Sequence, residues 1–192
     1  MDLELIRSNL KVTLDDKRYL HSLGVEEVAH DLAVIYGYDI DKARIAGILH
    51  DCAKNLTAQE LLEACKVYQL PVSKTEEAAV HLLHAKVGAA IARERFGIED
   101  EEILKAITYH TTGRPAMALL EKIIFTADFI EPNRRPIPRL DEIRRVAYMD
   151  LDTAVYMITE NTLKFLTETA GDEIDTLTVD TYEYYKTVLQ LQ

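Results

Sequence analysis

The chain has 192 residues, about the length of one domain, and 48% of them are hydrophobic, enough apolar material for a globular core. Lys and Arg number 22 against 33 Asp and Glu, a formal net charge of −11 that excludes broad binding to nucleic acid or anionic membrane, because both need clustered cations. Cys52 and Cys65 have no CxxC spacing and no secretory leader ahead of them. A disulfide scaffold and a cysteine zinc module are therefore excluded, and a reducing cytoplasm is expected. No apolar run approaches the roughly 18 residues of a membrane span.

Gly and Pro are scarce, and apolar residues recur at three- and four-residue steps, so the chain reads as all-α, a bundle of roughly eight to ten helices. Asp15 caps a helix that places Leu20, Leu23, Val28, Leu32 and Ile35 along one side and ends at Gly37. Asp41 is read as the cap of a second helix carrying Ile45, Ile48 and Leu49. Thr57-Ala58-Gln59-Glu60 and Ser73-Lys74-Thr75-Glu76 are capping boxes. The first opens a helix ending before Pro71, and the second opens a helical region that closes at Gly97. Further helices are expected from about Asp100 to His110 and from about Met117 to Ile130. The prolines of Glu131–Pro138 block helix and predict an extended loop. A long helix from about Asp150 to Ala170 and a tyrosine-rich last segment follow. The whole chain, 1–192, reads as one domain, with a chemical core over about 15–132 and C-terminal helices over about 139–192.

Six histidines are present: His21, His30, His50, His81, His84 and His110. His50 is followed directly by Asp51 beside small and apolar neighbours, where an unpaired carboxylate is costly to bury and a divalent metal would neutralise it. Alone, that dipeptide is a weak signal and reads first as chance or a simple hydrogen-bonded pair. Asp128 is an anomaly of the same kind, a lone carboxylate in Ile123-Ile124-Phe125-Thr126-Ala127-Asp128-Phe129-Ile130. With His21, His84 and His110 added, the order is His, His-Asp, His, His, Asp over four or five helices. His30 reads as an ordinary helix residue and His81 as a surface one. Cys52 reads as a small buried hydrophobe rather than a ligand.

Arg18 precedes His21 by three residues and Lys54 follows Asp51 by three, so each can share a helix face with the residue it flanks. Arg134 lies in the proline-rich loop, where a fixed backbone can aim a guanidinium at phosphate. Thr111 offers a hydroxyl beside His110. Tyr182, Tyr184 and Tyr185 read as packing or a homodimer contact rather than a platform for a base.

Arg18-Tyr19-Leu20-His21-Ser22, His50-Asp51-Cys52-Ala53-Lys54, Leu82-Leu83-His84, His110-Thr111-Thr112-Gly113 and Ala127-Asp128-Phe129-Ile130-Glu131-Pro132 together resemble the HD-domain metal-dependent phosphohydrolases. Within them the pattern is similar to the bacterial YqeK family of symmetrical bis(5′-nucleosyl)-tetraphosphatases, which split diadenosine tetraphosphate into two ADP. The resemblance runs from about residue 7 to residue 180. Ala85-Lys86 departs from it, since the family often has glycine and proline there. It implies that His21, His50, Asp51 and Asp128 hold the principal metal, commonly iron; manganese, cobalt and zinc suit the same donors. Asp51 would also orient the attacking water. His84 and His110 would either contact phosphate and protonate the leaving ADP or complete a second metal site. The stretch Asp175-Thr176-Leu177-Thr178-Val179-Asp180 matches a family segment bordering the nucleotide. The expected ligand is a dinucleoside polyphosphate or nucleoside diphosphate, bound by Arg18, His21, Asp51, Lys54, His84, His110, Thr111, Asp128 and Arg134 together with that stretch.

Two other functions share the same donors. One is an HD-type nucleotidase or phosphodiesterase, although the Gly-Tyr-Pro signature of cyclic dinucleotide phosphodiesterases is missing. The other is a nucleotide sensor with a structural metal, which the full ligand set disfavours.

Overall fold

Short acceptor side chains at helix entrances organise the local structure, because each satisfies an amide that the first helical turn leaves bare. A computed structural model describes residues 2–169 and 174–190, and eleven α-helices lie among them. They are α1 (Leu3–Thr13), α2 (Asp16–Tyr36), α3 (Ile40–Leu49), α4 (Ala58–Val67), α5 (Lys74–Ala78), α6 (His84–Phe96), α7 (Glu101–Tyr109), α8 (Leu119–Ile130), α9 (Leu140–Ala147), α10 (Leu151–Thr169) and α11 (Thr176–Val188), with a 3₁₀ turn over Val80–Leu83. Asp2, Asp15, Asp39, Asp100 and Asp175 cap α1, α2, α3, α7 and α11. Both expected capping boxes close, Thr57 with Glu60 and Ser73 with Glu76.

The all-helical expectation holds, with three differences in detail. The helices exceed the expected eight to ten because α1 and α9 were not read from the sequence. Asp39, not Asp41, caps α3, its side chain accepting the Lys42 N–H at 3.0 Å. The region after Ser73 is broken into α5, the 3₁₀ turn and α6, which places His84 at a helix start.

Helix α8 is apolar nearly all round, the signature of a central helix. Ile123, Ile124, Phe125, Ala127, Phe129 and Ile130 are all buried. It packs against α2, α3, α7, α9 and α10. One core therefore joins α1 residues Ile6 and Leu10 to α10 residues Val155 and Ile158 and to Tyr185 of α11. Helix α6 separates this core from a smaller one formed by Leu61, Cys65, Leu83, Val87 and Ile91. Buried Glu26 ties the first three helices together, accepting from Arg7 of α1 at 2.6 Å and Arg44 of α3 at 2.9 Å. No helix among the described residues is long and apolar enough to cross a membrane.

Helix α11 docks on the turn that follows α7. The Thr181 hydroxyl lies 3.2 Å from the Thr112 carbonyl and 2.5 Å from that of Leu177, and can donate to either. Gly113, at φ +66°, leaves no room for a side chain, since an added Cβ would sit 2.8 Å from Thr181 Cγ2. Gly113→Ala meets both the left-handed backbone and this contact, so urea denaturation is expected to show a loss of about 1–3 kcal/mol. An unchanged midpoint would mean that α11 does not depend on this turn.

Candidate metal centre

Helix ends bring the chemistry together. His50 closes α3, His84 opens α6 and His110 closes α7, while His21 and Asp128 project from within α2 and α8. Carbonyls near helix ends accept from the imidazoles three residues on. His50 Nδ1–H donates to Gly47 O at 2.7 Å, His84 Nδ1–H to His81 O at 2.5 Å and His110 Nδ1–H to Ile107 O at 2.7 Å. A carbonyl only accepts, so these contacts fix the proton on Nδ1 and leave Nε2 as a bare lone pair. His21 Nδ1–H instead donates to the Glu131 carboxylate at 3.1 Å. All four Nε2 atoms then face one small volume. His21 and His50 Nε2 are 3.2 Å apart, and His84 and His110 Nε2 are 3.1 Å apart.

Two carboxylates complete the set. His21 Nε2 lies 3.1 Å from Asp128 Oδ1, and His50 Nε2 is 3.8 Å from the same oxygen. Asp51 presents its two oxygens to different pairs of rings. Oδ2 lies 3.7 Å from His21 and 3.4 Å from His50, whereas Oδ1 lies 3.2 Å from His84 and 3.4 Å from His110. Asp51 is buried, and Oδ1 has no properly aimed hydrogen-bond donor. Such an orphaned oxygen facing bare imidazole nitrogens fits a cation, the one partner that satisfies all of them together. Ligand atoms of His21, His50 and Asp51 lie within 4.8 Å of one another, as do those of Asp51, His84 and His110 and those of His50, His110 and Asp128.

The electrostatics agree. Burial pulls against a charged His21, but Asp128, Asp51 and Glu131 together hold its pKa above the ordinary value. Burial pulls His50 down, and takes His84 down to about 4 despite Asp51. Asp51 and Asp128 are held below the usual carboxylate range by the surrounding histidines, although burial opposes this. Neutral His50 and His84 beside ionised carboxylates are the protonation states that a metal requires of its ligands, whereas His21, which the carboxylates favour as a cation, gives up its Nε2 proton when a metal binds there.

The flanking groups expected from the sequence are partly assembled. Arg18 donates to Asp51 Oδ2 at 2.5 Å, and Lys54 donates to His84 Nε2 at 3.0 Å. The Thr111 hydroxyl lies 3.1 Å from His110 Nε2. Arg134 lies over the Phe129 ring, 5.2 Å from its centroid, and lowers the pKa of Asp128 through space. Of the stretch 175–180, Asp175 and Leu177 line a groove of about 530 Å³ that also touches Thr111, Lys86 and Tyr109. Thr178 is buried, whereas Thr176, Val179 and Asp180 face outward.

Residues read as structural stand apart from the cluster. His30 pairs with Asp31 at 2.9 Å. Cys52 donates to Gly88 O at 3.4 Å, and burial pushes its thiol up to about 12. Tyr182 stacks on Tyr156 and Tyr185 is buried, which is packing. The residue missed was Glu131, although it lies within a quoted motif three positions after Asp128 and so on the same helix face.

A family model described as the HD domain matches residues 18–147. The chain is 43% identical over 157 residues to the symmetrical bis(5′-nucleosyl)-tetraphosphatase of Bacillus subtilis (strain 168), covering 82% of this chain and 83% of that one. A Staphylococcus aureus protein of the same name is 41% identical over 187 residues, with 96% and 95% covered. A crystal structure described as a predicted HD superfamily hydrolase involved in NAD metabolism from Clostridium acetobutylicum matches with a TM-score of 0.93. It is 41% identical, and the match covers 98% of each chain. With the donor set in place and the match running nearly end to end, this chain belongs to the HD-domain family, within its YqeK-type branch.

Proposed function

We propose that the protein is a metal-dependent hydrolase that cleaves diadenosine tetraphosphate symmetrically into two ADP. The observation that carries this reading is identity above 40% over most of the chain to enzymes named for that reaction. The complete His and Asp cluster supports it. The C-terminal helices are assigned to the same single domain, because Val155, Ile158 and Tyr185 belong to the core built on α8.

His21, His50, Asp51 Oδ2 and Asp128 would hold the principal metal. Asp51 Oδ1, His84 and His110 would hold a second, with Asp51 shared between them. The buried His84 imidazole, with its pKa drawn down to about 4, is better suited to ligation than to protonating a leaving group. Nitrogen and carboxylate donors without thiolate do not choose among iron, manganese, cobalt and zinc, and the family resemblance favours iron. A divalent cation there supplies charge to phosphoryl oxygens and lowers the pKa of water. Arg18 and Lys54 bring fixed positive charge to the rim of the cluster, and Thr111 adds a hydroxyl beside it. Together they orient and neutralise phosphate, which is most of what in-line displacement at phosphorus requires. The groove touching Thr111, Tyr109, Lys86 and Leu177 is large enough for a nucleoside, and Arg134, over Phe129, adds a cation on the Asp128 side of the cluster.

Two measurements test this reading. In ¹⁸O-labelled water, diadenosine tetraphosphate should give ADP alone, with label in one ADP of each pair. ATP and AMP in equal amounts would exclude symmetric cleavage. The Clostridium acetobutylicum description makes NAD the informative competitor, and faster hydrolysis of NAD would shift the substrate class.

Metal analysis tests the ligand sets. His84→Ala and His110→Ala should each lose one ion per chain, keep the other and lose rate. Asp51→Ala should lose both ions and at least 10²-fold in turnover, because a shared ligand serves both sites. Normal metal content in the Asp51 variant would overturn the assignment.

A further inference from the structure

Three of the four imidazoles are aimed by a carbonyl three residues upstream, at a helix end where such carbonyls are available. His21 differs. It lies in the second turn of the 21-residue helix α2, where upstream carbonyls already accept helical amides. Its Nδ1–H needs an acceptor from elsewhere, and the one present is Glu131, 110 positions along the chain.

Glu131 is an unusual residue for its place. A carboxylate at a helix C-terminus faces the negative end of the helix dipole, and this one is only 2% exposed. No Lys or Arg side chain hydrogen-bonds its carboxylate among the described residues. Arg144 donates to the Glu131 main-chain carbonyl instead, at 2.9 Å. The side chain has two donors, His21 Nδ1–H on Oε1 and the Asn133 amide on Oε2 at 2.6 Å. Helix α2 makes room for it. Gly24 lies one turn after His21, and a Cβ there would stand 2.7 Å from Glu131 Oε2 and 3.2 Å from Pro132 Cδ. Helix α8 thereby grips both nitrogens of one ring, Asp128 at Nε2 and Glu131 at Nδ1, each at 3.1 Å.

We propose that Glu131 is the positioning residue for His21, fixing its tautomer and ring direction so that Nε2 faces the metal cluster, and that Gly24 serves to admit it. A carboxylate behind a ligating imidazole also raises its basicity. The inference rests on the metal-binding reading of the cluster.

The test is Mn²⁺ titration of the metal-stripped full chain, comparing wild type, Glu131→Ala, Glu131→Gln, Gly24→Ala, His21→Ala and the double variant His21→Ala/Glu131→Ala. Glu131→Ala should weaken the tightest site about 10- to 100-fold, the loss typical of removing such a partner. Gly24→Ala should act in the same direction, although alanine favours helix. Glu131→Gln, which keeps an acceptor for His21, should recover part of the affinity. In the His21→Ala background, Glu131→Ala should change Mn²⁺ affinity less than about threefold, since neighbours acting through one another are not additive.

Wild-type affinity in the folded Glu131→Ala protein would overturn the proposal, as would an equal loss with and without His21. Long-range ¹H–¹⁵N spectra of the metal-free wild type give a check that needs no variant. Recorded at a pH alkaline enough to make the ring neutral, they should show the Nδ1–H tautomer at His21, and a neutral ring protonated on Nε2 would overturn the proposal. A wild type that takes up no Mn²⁺ would instead remove the metal-binding reading itself.

Discussion

Bare imidazole nitrogens and ionised carboxylate oxygens repel one another, yet this fold holds the Nε2 atoms of four imidazoles, three of them pinned bare by backbone carbonyls, and two carboxylates within a few ångströms. In water each would keep its own hydration, and in a buried cluster each unpartnered acceptor costs free energy. The arrangement persists because every ring is braced from behind by a contact that leaves Nε2 no alternative direction. A divalent cation, an arginine or a lysine can then relieve the repulsion. In this structure Arg18 and Lys54 do so at Asp51 Oδ2 and His84 Nε2, while Asp51 Oδ1 is left without an aimed donor.

The bundle follows from this requirement. Three rings take their bracing from helix ends, so α3, α6 and α7 must begin or stop at the cluster. The 3₁₀ turn before His84 serves that purpose, because it brings the His81 carbonyl to His84 Nδ1 while starting α6 with the ligand. Helix α8 must pass through the centre to deliver Asp128, and its nearly all-round apolar surface makes that position favourable. Docking of α11 on Thr112 and Gly113 holds the turn beyond His110 and forms one wall of the adjoining groove.

Much of this was legible in the sequence, and the reason is locality. Thr57 with Glu60 and Ser73 with Glu76 announce helix starts within four residues, and both boxes form. Asp128 stands out because an isolated carboxylate in an apolar helix needs a partner. Helix α9 was not legible, since two turns carrying Leu140, Ile143 and Ala147 beside a proline-rich loop give too short a period to register. Asp41 reads as the cap of α3, and the structure gives that place to Asp39 two positions earlier, because it is Asp39 whose side chain reaches the Lys42 N–H. Glu131 escaped for a different reason. A glutamate next to a proline at a helix end reads as a solvated boundary. Its value appears only when the missing acceptor of His21, 110 residues earlier, is counted.

Charge balance explains how so acidic a chain can suit a polyphosphate. Around the cluster the carboxylates of Asp51, Asp128 and Glu131 are matched by Arg18, Lys54 and Arg134, so the protein groups alone leave little net field. Each divalent ion added tips the pocket positive, in a partly buried place where salt screens weakly. The overall charge of −11 repels polyanions at long range and leaves attraction to the loaded cluster. Metal and polyphosphate affinities are therefore linked, and by reciprocity a phosphate ligand that tightens in the presence of the ion must also tighten the ion's own binding.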